Sequence, residues 1–196
     1  MQIEPVILSG RIVRLEPLGP KHASDLYAAG QAERIWRYLP MNLQQSFEEM
    51  QNWITSTLQL QASGTILPFA IIAQESGRAI GSTRYLDIQL QNRGLEIGWT
   101  WLTPAVQRTG VNTECKYLLL RHAFEQLKAI RVQLKTDSRN LQSQRAIERI
   151  GAIKEGILRN HMIMLDGYYR DSVYYSIIES EWPTVKASLE AKMVSR

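Results

Sequence analysis

The stretch Thr103-Pro104-Ala105-Val106-Gln107-Arg108-Thr109-Gly110-Val111-Asn112-Thr113 decides how the rest of the chain is read. Before it, Leu95 to Leu102 alternates as a strand does: Leu95, Ile97, Trp99 and Trp101 point one way, and Glu96, Gly98 and Thr100 the other. After it, Gly110 to about Lys128 carries Val111, Cys115, Leu118, Leu119, His122, Ala123 and Leu127 on one helical stripe. The first N–H groups of such a helix lack internal partners, and the helix dipole adds partial positive charge at the same end. A pyrophosphate docked there meets aligned donors and a favourable field. Gly110 lets the backbone approach closely, and Arg108 adds a cation. The bland alternative is a plain loop with a glycine for its turn, and this motif alone leaves both readings open.

Working outward, Arg131 to Asp137 reads as a strand, so Leu95 to Asp137 is a strand–helix–strand unit with a right-handed parallel crossover. Asn140 caps a helix to Ile150 that stops at Gly151. Ile153 to Leu165 and Tyr169 to Ile178 form a hairpin across Asp166-Gly167, and Glu179 to Met193 closes the chain as a helix. Upstream, Arg11 to Leu18 reads as a strand and Lys21 to Ala32 as a helix. Ser46-Phe47-Glu48-Glu49 is a capping box that opens a helix to about Ala62. Pro68 to Gln74 and Ala79 to Gln89, the latter bulged at Gly81, join the Leu95 strand in an antiparallel meander. The expected fold is mixed α/β, with one splayed sheet in a single domain over 1–196.

Composition narrows the function classes. With 196 residues and a 44% hydrophobic fraction, one domain with an ordinary core is expected. No apolar run approaches the roughly 20 residues of a membrane span, and Met1-Gln2-Ile3-Glu4-Pro5 lacks signal-peptide character, which points to a cytoplasmic protein with no membrane partner. Cys115 is the single cysteine and His22, His122 and His161 lie far apart, so no metal site is expected. The net charge of +4 suits either a basic surface or an anionic ligand. No Lys/Arg run with interleaved aromatics appears, and nucleic acid is not an expected partner.

Several segments together resemble the GNAT acetyltransferases, specifically the RimJ/RimL-like branch. These are Leu95-Glu96-Ile97-Gly98-Trp99, Asn140-Leu141-Gln142-Ser143, Ile150-Gly151-Ala152 and Gly167-Tyr168-Tyr169-Arg170-Asp171. The superfamily loop Gln/Arg-x-x-Gly-x-Gly/Ala here reads Gln107-Arg108-Thr109-Gly110-Val111-Asn112, with Asn112 replacing the last small residue. The similarity runs from about residue 10 to 180. It implies a sheet flanked by helices with a central parallel V between the Leu95 and Arg131 strands. It also implies acetyl-CoA as co-substrate, held by Gln107, Arg108, Thr109, Gly110, Val111, Asn112 and Thr113, with its pantetheine arm lying in the V as a false strand. A larger acyl donor such as succinyl-CoA fits the same resemblance.

The implied reaction is N-acetylation of a primary amine, on a protein N-terminus or a small molecule, by direct attack in a ternary complex. Glu96 is then the candidate base or a structural carboxylate. Ser143 is the candidate acid for the leaving thiolate or a partner of the helix cap. Asn140 is a pantetheine contact, an N-cap, or both, since its oxygen and nitrogen are separate groups. Backbone N–H groups late in the Leu95 strand suit an oxyanion. Trp36 and Tyr38 lie where the family shapes its acceptor pocket. Cys115 reads as a buried, unactivated thiol. The resemblance and the aromatic C-terminal hairpin also imply a homodimer. A second function class, a non-catalytic CoA-binding sensor or partner-binding module of the same fold, stands beside the enzyme.

Overall fold

A computed structural model describes residues 1–194. The strands are β1 (Leu8–Ser9), β2 (Val13–Pro17), β3 (Leu67–Ala73), β4 (Ala79–Gln89), β5 (Gly94–Leu102), β6 (Arg131–Asp137), β7 (Ile153–Ile163) and β8 (Tyr169–Ile178). The α-helices are α1 (Ala23–Ala29), α2 (Phe47–Ala62), α3 (Val111–Arg121), α4 (Leu141–Arg149) and α5 (Trp182–Val194). All eight strands join one sheet in the order β1-β2-β3-β4-β5-β6-β8-β7. Every neighbouring pair is antiparallel except β5 and β6.

The parallel pair is short. It is matched only at Gly94–Arg131, Leu95–Val132 and Glu96–Gln133, although β5 runs on to Leu102 and β6 to Asp137. Beyond Glu96 and Gln133 the two strands part, and the sheet has its V. The expected mixed α/β fold, with a mostly antiparallel splayed sheet and a central parallel V, is the observed one.

Two apolar layers cover the sheet. One contains Val13, Tyr85, Ile97 and Leu102 together with Cys115, Leu118 and Leu119 of α3 and Trp182 of α5. The other contains Leu26 of α1, Met50 and Ile54 of α2, and Trp36, Ala70, Ile72 and Trp101. The start of α3 is pinned by Glu114, whose buried carboxylate accepts the N–H groups of Arg11, Ile12 and Val13 at 2.8, 2.8 and 2.7 Å. Gly10 has no room for a side chain there, because a Cβ would lie 2.5 Å from the Glu114 carboxyl carbon.

Several expectations need correction. The Lys21–Ala32 helix is shorter: a 3-10 turn at Pro20–His22 precedes α1, which ends at Ala29 and is capped by Gly30. The capping box is half made, with Ser46 Oγ accepting the Glu49 N–H at 3.0 Å while Glu49 Oε2 has no hydrogen-bond partner. In β4 the bulged residue is Ile80, next to Gly81, since Gly81 pairs with Ile71 and Ala79 with Ile72. The long helix stops at Arg121, and His122–Gln126 form a π turn. β7, the first strand of the last hairpin, ends at Ile163, two residues before Leu165.

The regular alternation read for Leu95–Leu102 also fails. Ser82 pairs with Trp101 and Arg84 with Gly98, so Trp99 and Thr100 together oppose Thr83 alone. Trp99 takes φ 52°, a left-handed conformation uncommon for a large side chain. This bulge shifts the phase by one residue. Ile97 and Leu102 face the α3 layer, whereas Trp101 faces the α1/α2 layer against Trp36, with ring centroids 5.0 Å apart.

Candidate active site

The V opens onto a cleft of about 950 Å³. One wall is β5 from Glu96 to Leu102 and the loop into α3; the other is Leu134–Thr136 of β6 and the start of α4. The segment Arg34–Pro40 closes one end. Nine cationic side chains line it against one carboxylate, Glu96, so the cleft is built for anions.

The loop takes its shape from its own side chains. Gln107 Nε2 donates to the Leu102 carbonyl at 3.0 Å, and Thr109 Oγ1 to the Val106 carbonyl at 2.6 Å. Thr109 Oγ1 also accepts the Val111 N–H at 3.3 Å, which leaves the Asn112 and Thr113 N–H groups in a first turn that cannot satisfy them internally. Arg108 adopts φ 64° and lines the cleft with Gln107, Thr109 and Asn112. The side chains of Val111 and Thr113 are buried. Gly110 stands at the N-terminus of α3 in an ordinary helical conformation. Its φ is −69°, and its crowded side faces Ile12, whose Cδ1 would lie 3.2 Å from an added Cβ. The backbone strain therefore sits at Arg108 rather than at the glycine.

Glu96 is 1% exposed and stands where β5 and β6 part. Its Oε2 accepts from Gln133 Nε2 at 2.9 Å and Lys135 Nζ at 3.0 Å, both on β6. The carboxylate thus bridges the base of the V. Across the cleft, Asn140 Oδ1 accepts the Ser143 N–H at 3.0 Å as the N-cap of α4. The cap uses only the oxygen, so the amide nitrogen of Asn140 is left for another partner. Both residues line the cleft.

Of the two acceptor-side candidates, Tyr38 lines the cleft and Trp36 does not. Trp36 is 4% exposed, donates from Nε1 to the Gly30 carbonyl at 2.8 Å, and packs on Trp101. It braces the segment that carries Tyr38. Cys115 is fully buried in the α3 layer, and burial pushes its thiol up to about 11. His122 stacks on Tyr85 inside the same layer, where burial pulls its pKa down.

Sequence reasoning missed Lys116. One residue past Cys115, it points to the cleft, 6% exposed, and donates to Thr100 Oγ1 at 2.6 Å. Burial lowers its ammonium to about 8. It also missed Arg139 and Arg170. Arg139 Nε and Nη2 hold the two oxygens of buried Asp137 at 3.1 and 2.8 Å. Burial alone raises the Asp137 pKa, but these bonds and the Arg139 N–H bring it below the ordinary range. Arg170 lies in the family-like segment Gly167–Asp171, but that segment assigns it no role, and Arg139 lies in no quoted segment.

The family model for the acetyltransferase (GNAT) domain matches residues 13–153, from β2 to the first residue of β7 and so across both arms of the V. The chain belongs to the GNAT acetyltransferase family. This GNAT chain is 25% identical to the ribosomal-protein-serine acetyltransferase of Escherichia coli over 172 residues, which cover 86% of the chain and 94% of that protein. It is 32% identical to Bacillus subtilis YdaF over 106 residues, 54% of the chain and 57% of YdaF's length. Among solved structures, a GCN5-related N-acetyltransferase from Brucella melitensis superposes with a TM-score of 0.90 at 33% identity, covering 96% of the chain and 86% of that protein. The expected class, an acyl-CoA-dependent N-acyltransferase of the RimJ/RimL-like branch, agrees with this membership.

Proposed function

We propose that the protein transfers an acetyl group from acetyl-CoA to a primary amine by direct attack within a ternary complex. One observation carries the reading. The parallel β5/β6 ladder stops after three residue pairs, and the parted strands lead to a strand–loop–helix turn with unpaired N–H groups. The unpaired backbone between the arms suits the amide-rich arm of the co-substrate. The α3 start with Arg108 suits its pyrophosphate. Gln107, Arg108, Thr109, Asn112 and the Asn140 amide are its contacts, with Gly110, Val111 and Thr113 supplying backbone.

The amine enters past Tyr38. A deprotonated amine attacks the thioester carbonyl, its N–C bond forms, and the C–S bond breaks. Glu96 takes the ammonium proton, directly or through water, and Ser143 returns a proton to the leaving sulfur. Backbone N–H groups around the Trp99 bulge hold the oxyanion. The acceptor is a protein N-terminus or a small-molecule amine, and residues 1–196 are read as a single acetyltransferase domain. A homodimer would use β7, an edge strand that exposes Ile153, Ile157, Leu158 and Ile163. The site is read as cytoplasmic in setting, and no helix among the described residues is long and apolar enough to cross a membrane.

The test is release of CoA thiol from acetyl-CoA in the presence of an amine panel, together with calorimetric acetyl-CoA binding. Amine-dependent release and stoichiometric binding are expected. Binding without turnover of any amine would leave a CoA-binding module instead.

A further inference from the structure

Three guanidinium groups gather around the Tyr38 segment, with that of Arg139 also stacked on Tyr168 at 3.4 Å. Arg37 lies 5.4 Å and Arg139 5.8 Å from the Tyr38 ring centroid, and Arg170 Nη1 donates to the Tyr38 carbonyl at 3.3 Å. They arrive from three separate places: the α1–α2 connection, the turn after β6, and β8. All of them, with Tyr38, line the cleft.

Such a cluster is disfavoured by mutual repulsion and, for Arg170, by burial, since the residue is 6% exposed. Asp137 and Glu96 lie near enough to favour the charged form of Arg170, but neither forms an ion pair with it. Both oxygens of Asp137 are held by Arg139 alone. Arg170 Nε donates to a neutral hydroxyl, Ser172 Oγ, at 3.0 Å. Among the described residues neither Arg37 nor Arg170 has an ion-pair partner. Burial pulls the Arg170 pKa down and outweighs the nearby Asp137 and Glu96, which act in the opposite direction.

The co-substrate's phosphates do not account for these groups. The loop that receives the pyrophosphate opens α3, which packs on one face of the sheet. The segment bearing Arg37 and Tyr38 is anchored by Trp36 on the opposite face, against Trp101. The cleft passes through the V from one face to the other, with an anion site at each end.

We propose that the acceptor amine carries a carboxylate, which Arg37, Arg139 and Arg170 hold around Tyr38 while the amine reaches the V. This rests on the reading of the site as an amine acetyltransferase. Both charges of the acceptor are then matched: the carboxylate by the arginines and the ammonium by Glu96. The carboxylate can be the α-carboxylate of an amino acid or an acidic side chain next to a peptide N-terminus.

The experiment compares acid and amide twins in two arms. One arm sets Gly-Glu-Gly amide against Gly-Gln-Gly amide, and the other sets glycine against glycinamide. We expect kcat/KM to favour the acid by at least about tenfold in one arm, which then identifies the source of the carboxylate. The advantage should shrink as salt rises. In R37Q, where the lost residue is exposed and the fold keeps its core, the acid-to-amide ratio should fall about tenfold. R170K serves as a second variant that retains charge but loses the fork geometry. Equal rates for acid and amide in both arms, or preference for the amide, would overturn the proposal while leaving acetyl transfer intact. Calorimetry of the same peptides and small amines on CoA-loaded protein reads the anion site without turnover. Tighter binding of an acid twin, lost in R37Q, keeps the anion site even if no amine is acetylated. Equal binding of the twins in both arms would overturn it.

Discussion

Glu96 and Lys135 pair across the base of the V, with Oε2 and Nζ 3.0 Å apart and the two side chains 1% and 21% exposed. The pair joins β5 to β6 at the point where their ladder ends. A carboxylate so placed is both a candidate base and a clasp, and one substitution removes both roles. E96Q should lower kcat by roughly 10²–10⁴-fold and move the activity optimum to higher pH, where more amine is already neutral. It should also lower stability, because Lys135 loses its partner in a half-buried site. The double variant E96Q/K135M separates the roles: stability should return and activity should not. Recovery of activity in the double variant would make Glu96 a clasp only.

Ser143 and Asn140 can be separated because the cap uses the Ser143 backbone N–H, not its hydroxyl. S143A should therefore keep α4 and acetyl-CoA affinity while lowering kcat. N140A should cost about 1 kcal/mol through the cap and weaken acetyl-CoA binding as well. Steady-state kinetics and calorimetry on both variants check this. A weaker acetyl-CoA complex at constant kcat in S143A would make the hydroxyl a cofactor contact.

Arg108 combines a positive φ with a place on the cleft wall. R108G removes the cation and relieves the left-handed backbone together. We expect acetyl-CoA affinity to fall about tenfold or more, with a melting temperature near that of the wild type. Gly110 is a poorer probe, since a side chain there meets Ile12 and perturbs packing as well as binding.

Cys115 should not form an acyl-enzyme. Its thiol is fully buried and pushed up to about 11, so little thiolate exists at neutral pH. C115A should retain turnover and lose at most about 1–2 kcal/mol of stability. An acetylated Cys115 peptide trapped from the native enzyme would contradict this.

Glu16 gives a pH signature remote from the cleft. Hydrogen bonds from Lys21, first, and Arg14 lower its carboxyl from 4.5 to about 2. A depressed folded-state pKa stabilises above the unfolded value and is lost as pH falls through the folded one. Allowing for the exposed Lys21, the contribution is about 1–2 kcal/mol at pH 7. E16Q should melt lower than wild type by roughly 2–8 °C at neutral pH. The gap should close between about pH 4.5 and 2. A gap that persists below pH 2 would show that the effect is packing.

Much of this architecture was legible because its signals are local. Asn140 caps α4, Gly151 ends the following turn at φ 97°, and Gly167 turns the hairpin at φ 79°, each as its own sequence neighbourhood dictates. The phase slip at Trp99 was not legible. A bulge inserts one residue without disturbing the apolar count, and only the register against β4 exposes it. The arginine cluster was hidden for another reason. Residues 37, 139 and 170 meet only when α1–α2, β6 and β8 are assembled, and although Arg170 lies in a family-like segment, nothing in the sequence joins it to Arg37 and Arg139. The strand-to-helix turn is legible from its flanking periodicities, whereas the left-handed conformation of Arg108 carries no sequence signal, since arginine is not a residue that favours positive φ.

The three rungs between β5 and β6 have a mechanical consequence. On one side lie five strands, on the other three, and the two leaves are sewn along the sheet by this short ladder, the Ile130 N–H to Arg93 carbonyl bond beside it and the Glu96 clasp. The V-facing amides beyond Glu96 and Gln133 have no partner strand, so they exchange with solvent without unfolding of the protein. An occupant that bonds to both arms would act as a missing seam. It would slow that exchange in β5 and β6 together and couple the loop face to the Tyr38 face through a change in stiffness rather than in shape.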